Sequence, residues 1–292
     1  MFADAYKKAI AFTRPVITSL RFFNKSVGSG CGAFVVINED GWILTAGHIF
    51  DSFVEFKKNE EELLDHRKKV QSIEESSELT TKHKAKERNK LKTNPKWITE
   101  HSFWWNWNGV EAKDVKVLRK ADIAIARLEP FKSTMITDYP IFKDPSKIDV
   151  GTSLCKLGFP FHDVKTDFDE RENRFRLLPG TLPLPFFPIE GIYTRNIFVG
   201  KSDDGKFDIK FLETSSPGLR GQSGGPIFDT KGTVWAIQSQ TRHYPLGFSP
   251  IVNKDGREIE ENQFLNVGVG VHPETIASFL TTNGIDFRLS DY

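Results

Sequence analysis

Short runs of apolar and β-branched residues, separated by turn residues, recur along most of the chain. VITSLRFF, GAFVVI and WILTA follow one another between residues 16 and 46, and FDIKFLET, TVWAIQSQ and FLNVGVGV lie between residues 207 and 271. The segment NEDG at 38–41 has the composition of a hairpin turn. Many short strands at this spacing predict a β-barrel or a β-sandwich.

Three segments depart from this β pattern and predict helices. Residues 3–12 predict a short helix that ends before Pro15. Residues 52–93 are mostly charged, with sparse apolar residues at helical spacing, which predicts one or two exposed helices inserted between strands. Residues 273–283 predict a terminal helix, with Pro273 in its first turn and Gly284 after its last.

Composition and charge narrow the classes of function. The chain has 292 residues and a net charge of +1, which argues against a global attraction to nucleic acid or to an anionic membrane. It shows no long apolar run that would serve as a signal peptide or a membrane-spanning helix. Cys31 and Cys155 could pair, but we expect two reduced thiols. These features favour a cytoplasmic protein without a membrane partner.

The histidines and cysteines do not form a metal-binding pattern. The seven histidines lack ligand spacing such as HExxH, and two distant cysteines make no zinc site. No glycine-rich loop of the phosphate-binding kind is present either. We therefore expect neither a metal nor a cofactor.

Three short motifs carry residues suited to nucleophilic catalysis. TAGH at 45–48 closes a strand, DIAIARL at 122–128 opens a buried strand, and GQSGGP at 221–226 forms a glycine-rich turn. A serine hydroxyl attacks well only when an imidazole takes its proton, and a carboxylate must orient that imidazole. The motifs therefore predict a triad of His48, Asp122 and Ser223. The backbone N–H groups of Gly221 and Ser223 are the predicted oxyanion donors.

These motifs resemble those of the trypsin/chymotrypsin superfamily of serine proteases. GWILTAGH, DIAIARL and GQSGGPI each look like the family's motif, and the resemblance runs from about residue 16 to residue 280, leaving out the insertion. It implies a mainly β fold of two six-stranded barrels of the chymotrypsin type, with the helical insertion at 52–93 and a C-terminal helix. We expect one domain over residues 1–292, with barrels at about 13–130 and 140–272.

Departures from the secreted enzymes of this superfamily point to its bacterial members. Gln222 stands where those enzymes carry the Asp that pairs with a new N-terminus, and Ile49 stands where they carry a disulfide cysteine. CKLGFP at 155–160 and VGVGVHPETIASFL at 267–280 resemble segments of bacterial Deg/HtrA-type proteases, and the pattern is also similar to the staphylococcal glutamyl endopeptidases. The resemblance implies activity without zymogen cleavage, and no PDZ domain is expected.

The resemblance also implies an endopeptidase that acts on proteins or peptides through an acyl-enzyme. It places the pocket for P1, the residue before the scissile bond, at Pro217, Arg220, Ile237, Gln238, Ser239, Val267 and Gly268. Pro217 at the pocket floor argues against Lys or Arg at P1, because a buried cation there would lack a counter-charge. Small to medium apolar P1 residues are expected, while Arg220 and His243 leave room for an acidic one.

Other functions are compatible with parts of this pattern. A catalytically silent barrel could serve as a protein-binding module. A nucleic-acid-binding module could use the basic run Lys82–Lys90 and the cluster of Trp104, Trp105 and Trp107, although the near-neutral charge disfavours it. An intracellular protease without a propeptide or disulfide needs another restraint. The insertion at 52–93 is therefore either a docking element for a regulatory partner or a solvated decoration.

Overall fold

The computed structural model describes residues 2–292 of the chain. Its helices are α1 (Ala3–Phe12), α2 (Asp51–Glu75), α3 (Thr81–Lys90) and α4 (Pro273–Thr282). The predicted first and last helices are confirmed, and α2 and α3 form the charged insertion. None of these helices within residues 2–292 is long and apolar enough to cross a membrane.

Six antiparallel strands form the first sheet. They are β1 (Thr13–Phe22), β2 (Val27–Val36), β3 (Trp42–Ala46), β4 (Ile98–Trp104), β5 (Glu111–Leu118) and β6 (Ile123–Glu129). Their order is β4-β1-β2-β3-β6-β5. Buried apolar side chains of the central strands, such as Val35, Leu44 and Ile125, form its core. The sheet curves as a half-barrel, since no hydrogen-bonded ladder joins β4 to β5 in the described part of the chain.

Aromatic side chains occupy the gap between β4 and β5. Phe50 and Phe53, at the start of the insertion, line a cavity of about 470 Å³ together with Phe103 of β4 and Val117 of β5. The rings of Phe50 and Phe103 meet edge to face at 5.5 Å between centroids. The first unit of the expected two-barrel fold is thus a half-barrel, and aromatic side chains line the gap between β4 and β5.

The second sheet closes into a barrel and carries two extra strands. Its members are β7 (Ile141–Phe142), β8 (Ser153–Lys156), β11 (Ile189–Lys201), β12 (Asp208–Thr214), β13 (Pro226–Phe228), β14 (Val234–Pro245), β17 (Phe264–Val271) and β18 (Arg288–Leu289). The order β13-β8-β11-β12-β17-β14 is closed by a β13–β14 pairing, which makes a ring of six. Outside the ring, β7 pairs with β14, and β18 pairs with β7.

Two hairpins lie outside the main sheets. They are β9 (Thr166–Asp169) with β10 (Arg174–Leu177), and β15 (Ile251–Lys254) with β16 (Arg257–Glu260). The two main sheets together confirm a mainly β fold of the two-barrel kind expected from the sequence.

The insertion is attached to β4 by a buried asparagine. Asn59 is only 2% exposed, and its Oδ1 accepts a hydrogen bond of 2.7 Å from the backbone N–H of Ile98. Its Nδ2 donates to Glu55 one turn earlier in α2. Leu63 is the other buried residue of α2, and α3 buries none. Asn59 therefore supplies the buried polar contact between the insertion and β4.

Replacing Asn59 with Ala is expected to lower the free energy of unfolding by about 1–3 kcal/mol, because the Ile98 N–H stays buried without an acceptor. Urea unfolding measures the change. Lys58→Ala, one residue away and exposed, is the control and should stay within about 0.5 kcal/mol of the native protein. Equal losses in the two variants would contradict the role given to Asn59.

Candidate active site

His48 and Asp122 lie together because the strands that carry them are neighbours. β3 ends at Ala46 and is followed by the one-turn helix Gly47–Phe50, which contains His48. β6 begins at Ile123, directly after Asp122, and pairs Ile123 with Ala46. Both side chains are thereby placed at the same edge of the first sheet.

Glycine is required at the step between β3 and the histidine. The N–H of Gly47 donates to the carbonyl oxygen of Asp122 at 3.0 Å. A Cβ at this position would lie 3.1 Å from the backbone nitrogen of Ile123, so a side chain would push the two segments apart. Gly47 therefore permits the close approach of the His48 and Asp122 backbones.

The Asp122 carboxylate holds the His48 ring in one orientation. Its Oδ2 and Oδ1 lie 2.9 and 3.1 Å from His48 Nδ1, and Oδ1 also accepts the backbone N–H of His48 at 2.8 Å. Ser239, from β14 of the second sheet, donates its hydroxyl to Oδ2. His48 Nε2 makes no hydrogen bond with any residue from 2 to 292. The ring thus presents a free nitrogen on the side away from Asp122.

Hydrogen bonding shifts the protonation equilibria of both groups toward the ion pair. The hydrogen bond with Asp122 raises the pKa of His48 above its ordinary value, although burial acts in the opposite direction. Burial would raise the pKa of Asp122, but the hydrogen bonds from His48 and Ser239 outweigh it and lower that pKa. Asp122 is therefore an anion near neutral pH, and His48 is a stronger base than an isolated imidazole.

The turn at 221–225 offers two unused backbone donors beside a serine. Among the described residues, no acceptor pairs with the N–H of Gly221 or of Ser223. Gly221 has φ of +91°, and a Cβ there would lie 2.4 Å from the carbonyl oxygen of Phe159. Glycine at 221 is therefore needed for the turn. Two neighbouring free N–H groups are suited to stabilising a negative oxygen.

Gln222 fixes the shape of this turn from inside the protein. It is fully buried, and its Oε1 accepts the N–H of Leu219 at 3.0 Å while its Nε2 donates to the carbonyl oxygen of Phe187 at 3.3 Å. Both ends of the amide are thus satisfied by neighbouring backbone. The turn is held in place by this side chain.

Ser223 lies at the meeting point of two cavities. One, of about 640 Å³, is also lined by His48 and Gly221, and the other, of about 510 Å³, is lined by Pro217 and Gln238. Ser223 Oγ forms no hydrogen bond with His48 within the part of the chain that the structure describes. The two side chains nevertheless face the same space.

The second cavity contains only part of the predicted P1 pocket. Four of the predicted residues line it: Pro217, Arg220, Gln238 and Ser239. Ile237 and Val267 are buried in the barrel and do not line it. Gly268 does not line the cavity either. A Cβ added to Gly268 would point toward Lys156 and lie 2.7 Å from its Nζ.

A bulge in β14 determines which of its side chains face this cavity. The pairing of β14 with β17 shifts register between Gln238 and Gln240, which changes the side chains that face the cavity. Gln240 and Thr241 consequently line it, and so do His243 and Asn266. The sequence contains no signal for this bulge.

A buried lysine lies behind the wall of the second cavity. Lys156 is fully buried, and its Nζ donates to Thr214 Oγ1 at 2.8 Å and to the carbonyl oxygen of Ser216, the residue before Pro217. No carboxylate within residues 2–292 pairs with it. Burial lowers its pKa to about 7. The wall of this cavity is therefore close to a group that is partly cationic at neutral pH.

Other candidate sites receive little support from the geometry. Trp105 is buried in the core of the first sheet, and Trp104 and Trp107 are partly buried, so the three rings do not form a continuous exposed surface. Within residues 2–292, no group of three or more His, Cys, Asp or Glu side chains is placed to hold a metal ion. Cys31 and Cys155 are free thiols.

A half-barrel and a barrel, with a His–Asp pair and a glycine-turn serine at their junction, define a chymotrypsin-like fold. The model of the trypsin-like peptidase domain family matches residues 30–237, a range that includes His48, Asp122 and Ser223. The chain belongs to this family.

Two similar solved structures are of an HtrA-type protease. The protease AlgW with a tripeptide is 13% identical, with a TM-score of 0.47 over 97% of this chain and 63% of that one. A serine-to-alanine variant of AlgW with a tripeptide is 12% identical, with a TM-score of 0.48 over 98% and 64%. The chain therefore spans less than two thirds of the length of these structures. No curated protein matches the chain.

The pKa of His48 is expected to fall when Asp122 is replaced by Asn, because the hydrogen bond and the negative charge are lost while burial persists. An NMR titration of the His48 ring measures this. The native midpoint should lie above 6.5, and the midpoint of Asp122→Asn should lie at lower pH than the native one. Asp51→Asn, which removes only a weaker Coulombic contribution, should move it less. An unchanged midpoint in Asp122→Asn would contradict this electrostatic account.

Proposed function

We propose that the protein is a serine endopeptidase that hydrolyses peptide bonds through an acyl-enzyme, with His48, Asp122 and Ser223 as its triad. The observation that carries the proposal is the His48–Asp122 pair. The His48 ring has a free Nε2 and lines the same cavity as Ser223. Membership of the trypsin-like peptidase family supports the same assignment.

Each group has one role in the proposed acylation step. Ser223 Oγ attacks the carbonyl carbon of the substrate while His48 Nε2 takes its proton, and Asp122 stabilises the imidazolium. The carbonyl oxygen becomes negative and accepts hydrogen bonds from the N–H groups of Gly221 and Ser223. The Ser223–His48 hydrogen bond forms as substrate binds, since catalytic hydrogen bonds are often long or absent in unliganded enzymes.

The imidazolium then gives its proton to the leaving amine, and the acyl group stays on Ser223 as an ester. In the second half of the reaction, His48 takes a proton from water, and the resulting hydroxide attacks the ester. Ser223 regains its proton from the imidazolium when the acid product leaves. Gln222, which already holds the turn through backbone contacts, supports an active conformation without a newly cut N-terminus.

The cavity that contains Pro217 is the proposed P1 pocket, and we propose that it disfavours Lys and Arg. None of the residues that line it is an Asp or Glu, whereas Arg220 and His243 do line it. Lys156 lies just behind the wall. A cationic P1 side chain would therefore be desolvated beside Arg220 without a counter-charge in the lining of the cavity. Small to medium side chains without positive charge fit this pocket best.

Regulation through the insertion is part of the proposal. α2 starts at Asp51, three residues after His48, and Asp51 pairs with Arg119, three residues before Asp122. A partner that moves α2 would therefore act on both segments that hold the catalytic pair. The Asn59→Ala variant, which loosens α2, should then change the rate at which Ser223 is acylated. An unchanged rate would leave the insertion without a regulatory role.

A fluorophosphonate probe tests the activated serine. The native protein should gain the mass of one probe, and Ser223→Ala and His48→Ala should gain none, because the nucleophile or its base is missing. Asp122→Asn should react about 10⁴-fold more slowly. Ser133→Ala, a change of an exposed serine that lines neither cavity beside Ser223, is the control and should react like the native protein. A folded native protein that is never labelled would favour the silent, protein-binding barrel instead.

A peptide library that varies only P1 tests the pocket. Peptides with Lys or Arg at P1 should be cleaved at least about tenfold more slowly than those with small uncharged residues, because a desolvated cation costs more than the equivalent of tenfold. Pro217→Asp, which places a carboxylate in the cavity, should reduce this difference. Fastest cleavage after Arg by the native protein would contradict the proposed pocket.

A further inference from the structure

Phe161 combines two features that are unfavourable for an aromatic residue. Its side chain is 80% exposed, the largest exposed fraction among the large apolar residues in the described chain. Its backbone has φ of +60°, a left-handed conformation that glycine adopts freely and bulky residues rarely adopt. Neither feature contributes to folding. Backbone strain of this kind is typical of functional sites, where the surrounding structure maintains it.

The position of Phe161 beside the candidate active site accounts for this backbone strain. Phe161 lines the cavity of about 640 Å³ that also contains His48 and Ser223. The other apolar residues of this cavity are Leu20, Ile49, Phe159 and Val164. Phe187 supports the exposed ring edge to face, at 5.1 Å between centroids. An apolar surface therefore begins at the catalytic pair and extends to Phe161.

Contacts between the first sheet and the segment that runs from Phe161 to the β9–β10 hairpin hold the walls of this cavity in place. Ser29, in β2, donates its hydroxyl to the carbonyl oxygen of Val164 at 2.6 Å. Arg21, in β1, lies over the ring of Phe168 at 4.5 Å from its centroid and pairs with Glu170. The segment that contains Phe161 is thus fastened to the first sheet, and the cavity is preformed.

The chemistry of the proposed function decides which part of a substrate reaches this cavity. His48 has to protonate the leaving amine, so the leaving group must lie next to the His48 ring. His48 lines this cavity and does not line the proposed P1 pocket. The residues that follow the scissile bond therefore pass over the surface that ends at Phe161.

We propose that Phe161, together with Ile49 and Val164, forms a subsite for an apolar side chain, aromatic or branched aliphatic, in one of the first two residues after the scissile bond. This inference rests on the proposed endopeptidase function. Burial of the substrate side chain and of the exposed Phe161 ring removes apolar surface from water on both sides of the contact.

Quenched fluorescent peptides that differ only in these two residues test the subsite. The native protein should have a kcat/KM about tenfold higher for peptides with Leu or Phe there than for peptides with Ser. In Phe161→Gly, the ratio should fall to near one, because cleavage of the Leu and Phe peptides drops toward that of the Ser peptides. Phe198→Ala, which removes a ring that is 63% exposed and lies outside this cavity, is the control and should keep the native ratio.

Thermal unfolding separates a binding role of Phe161 from a structural one. Glycine adopts a positive φ without strain, so Phe161→Gly should raise Tm by about 2 °C. A variant that is more stable and has lost its preference for apolar leaving groups fits only the subsite. A lower Tm together with equal loss of activity on both peptide sets would assign Phe161 a structural role and overturn the proposal.

Binding to an inactive variant distinguishes failure of the subsite from failure of the proposed function. Fluorescence polarisation of the same peptides with Ser223→Ala should show the apolar preference without chemistry, and adding Phe161→Gly should remove it. If the native protein neither reacts with the probe nor cleaves peptides, the proposed function fails and this binding assay still decides the subsite. No apolar preference in Ser223→Ala, or one that survives Phe161→Gly, would overturn the inference.

Discussion

The Asp122 carboxylate is the contact on which the candidate site depends. It accepts hydrogen bonds from the backbone and ring of His48, in the first sheet, and from the hydroxyl of Ser239, in the second. The Asp122 side chain is only 24% exposed, and a partly buried carboxylate is costly unless its oxygens are paired. The orientation of the imidazole and the relative position of the two sheets are therefore stabilised by the same group.

A second set of contacts between the two sheets places Ser223 near the His48–Asp122 pair. The carbonyl oxygen of Ser223 accepts the N–H of Ala33 in β2 at 2.8 Å. A Cβ on Gly224 would lie 2.1 Å from the carbonyl oxygen of Ala33 and 2.3 Å from Thr45 Oγ1, so only glycine lets the turn approach. The proposed triad thus lies at the interface between the two sheets.

Local signals pointed to the candidate triad and made the terminal helices predictable. Each triad motif joins a strand to a turn over a few residues, and α4 has Pro273 in its first turn, so the information lies within the motif itself. The second hairpin outside the sheets also carried such a signal, since Asp255 and Gly256 have the positive φ values of a tight hairpin turn. That dipeptide was a readable sign of the hairpin.

Features that depend on tertiary packing could not be predicted in this way. The bulge after Gln238 changes which side chains of β14 face the cavity, and it arises from pairing with a strand more than twenty residues away. Phe161 reads in sequence as part of an ordinary apolar run, and only the fold shows that its ring is exposed. Specificity is consequently harder to predict than catalysis, because pockets are built from side chains that distant segments bring together.

The two cavities beside Ser223 contact the substrate during different steps of the proposed reaction. Contacts in the cavity near Pro217 persist in the acyl-enzyme, because the P1 residue stays attached to Ser223. Contacts with Phe161 last only until the leaving amine departs, before water attacks. Binding energy from the apolar subsite can therefore accelerate acylation but cannot stabilise the ester or slow its hydrolysis. An exposed apolar surface that contacts the leaving group thus increases selectivity. It does not retain the amine product, because only one side chain of that product has to leave the surface and enter water.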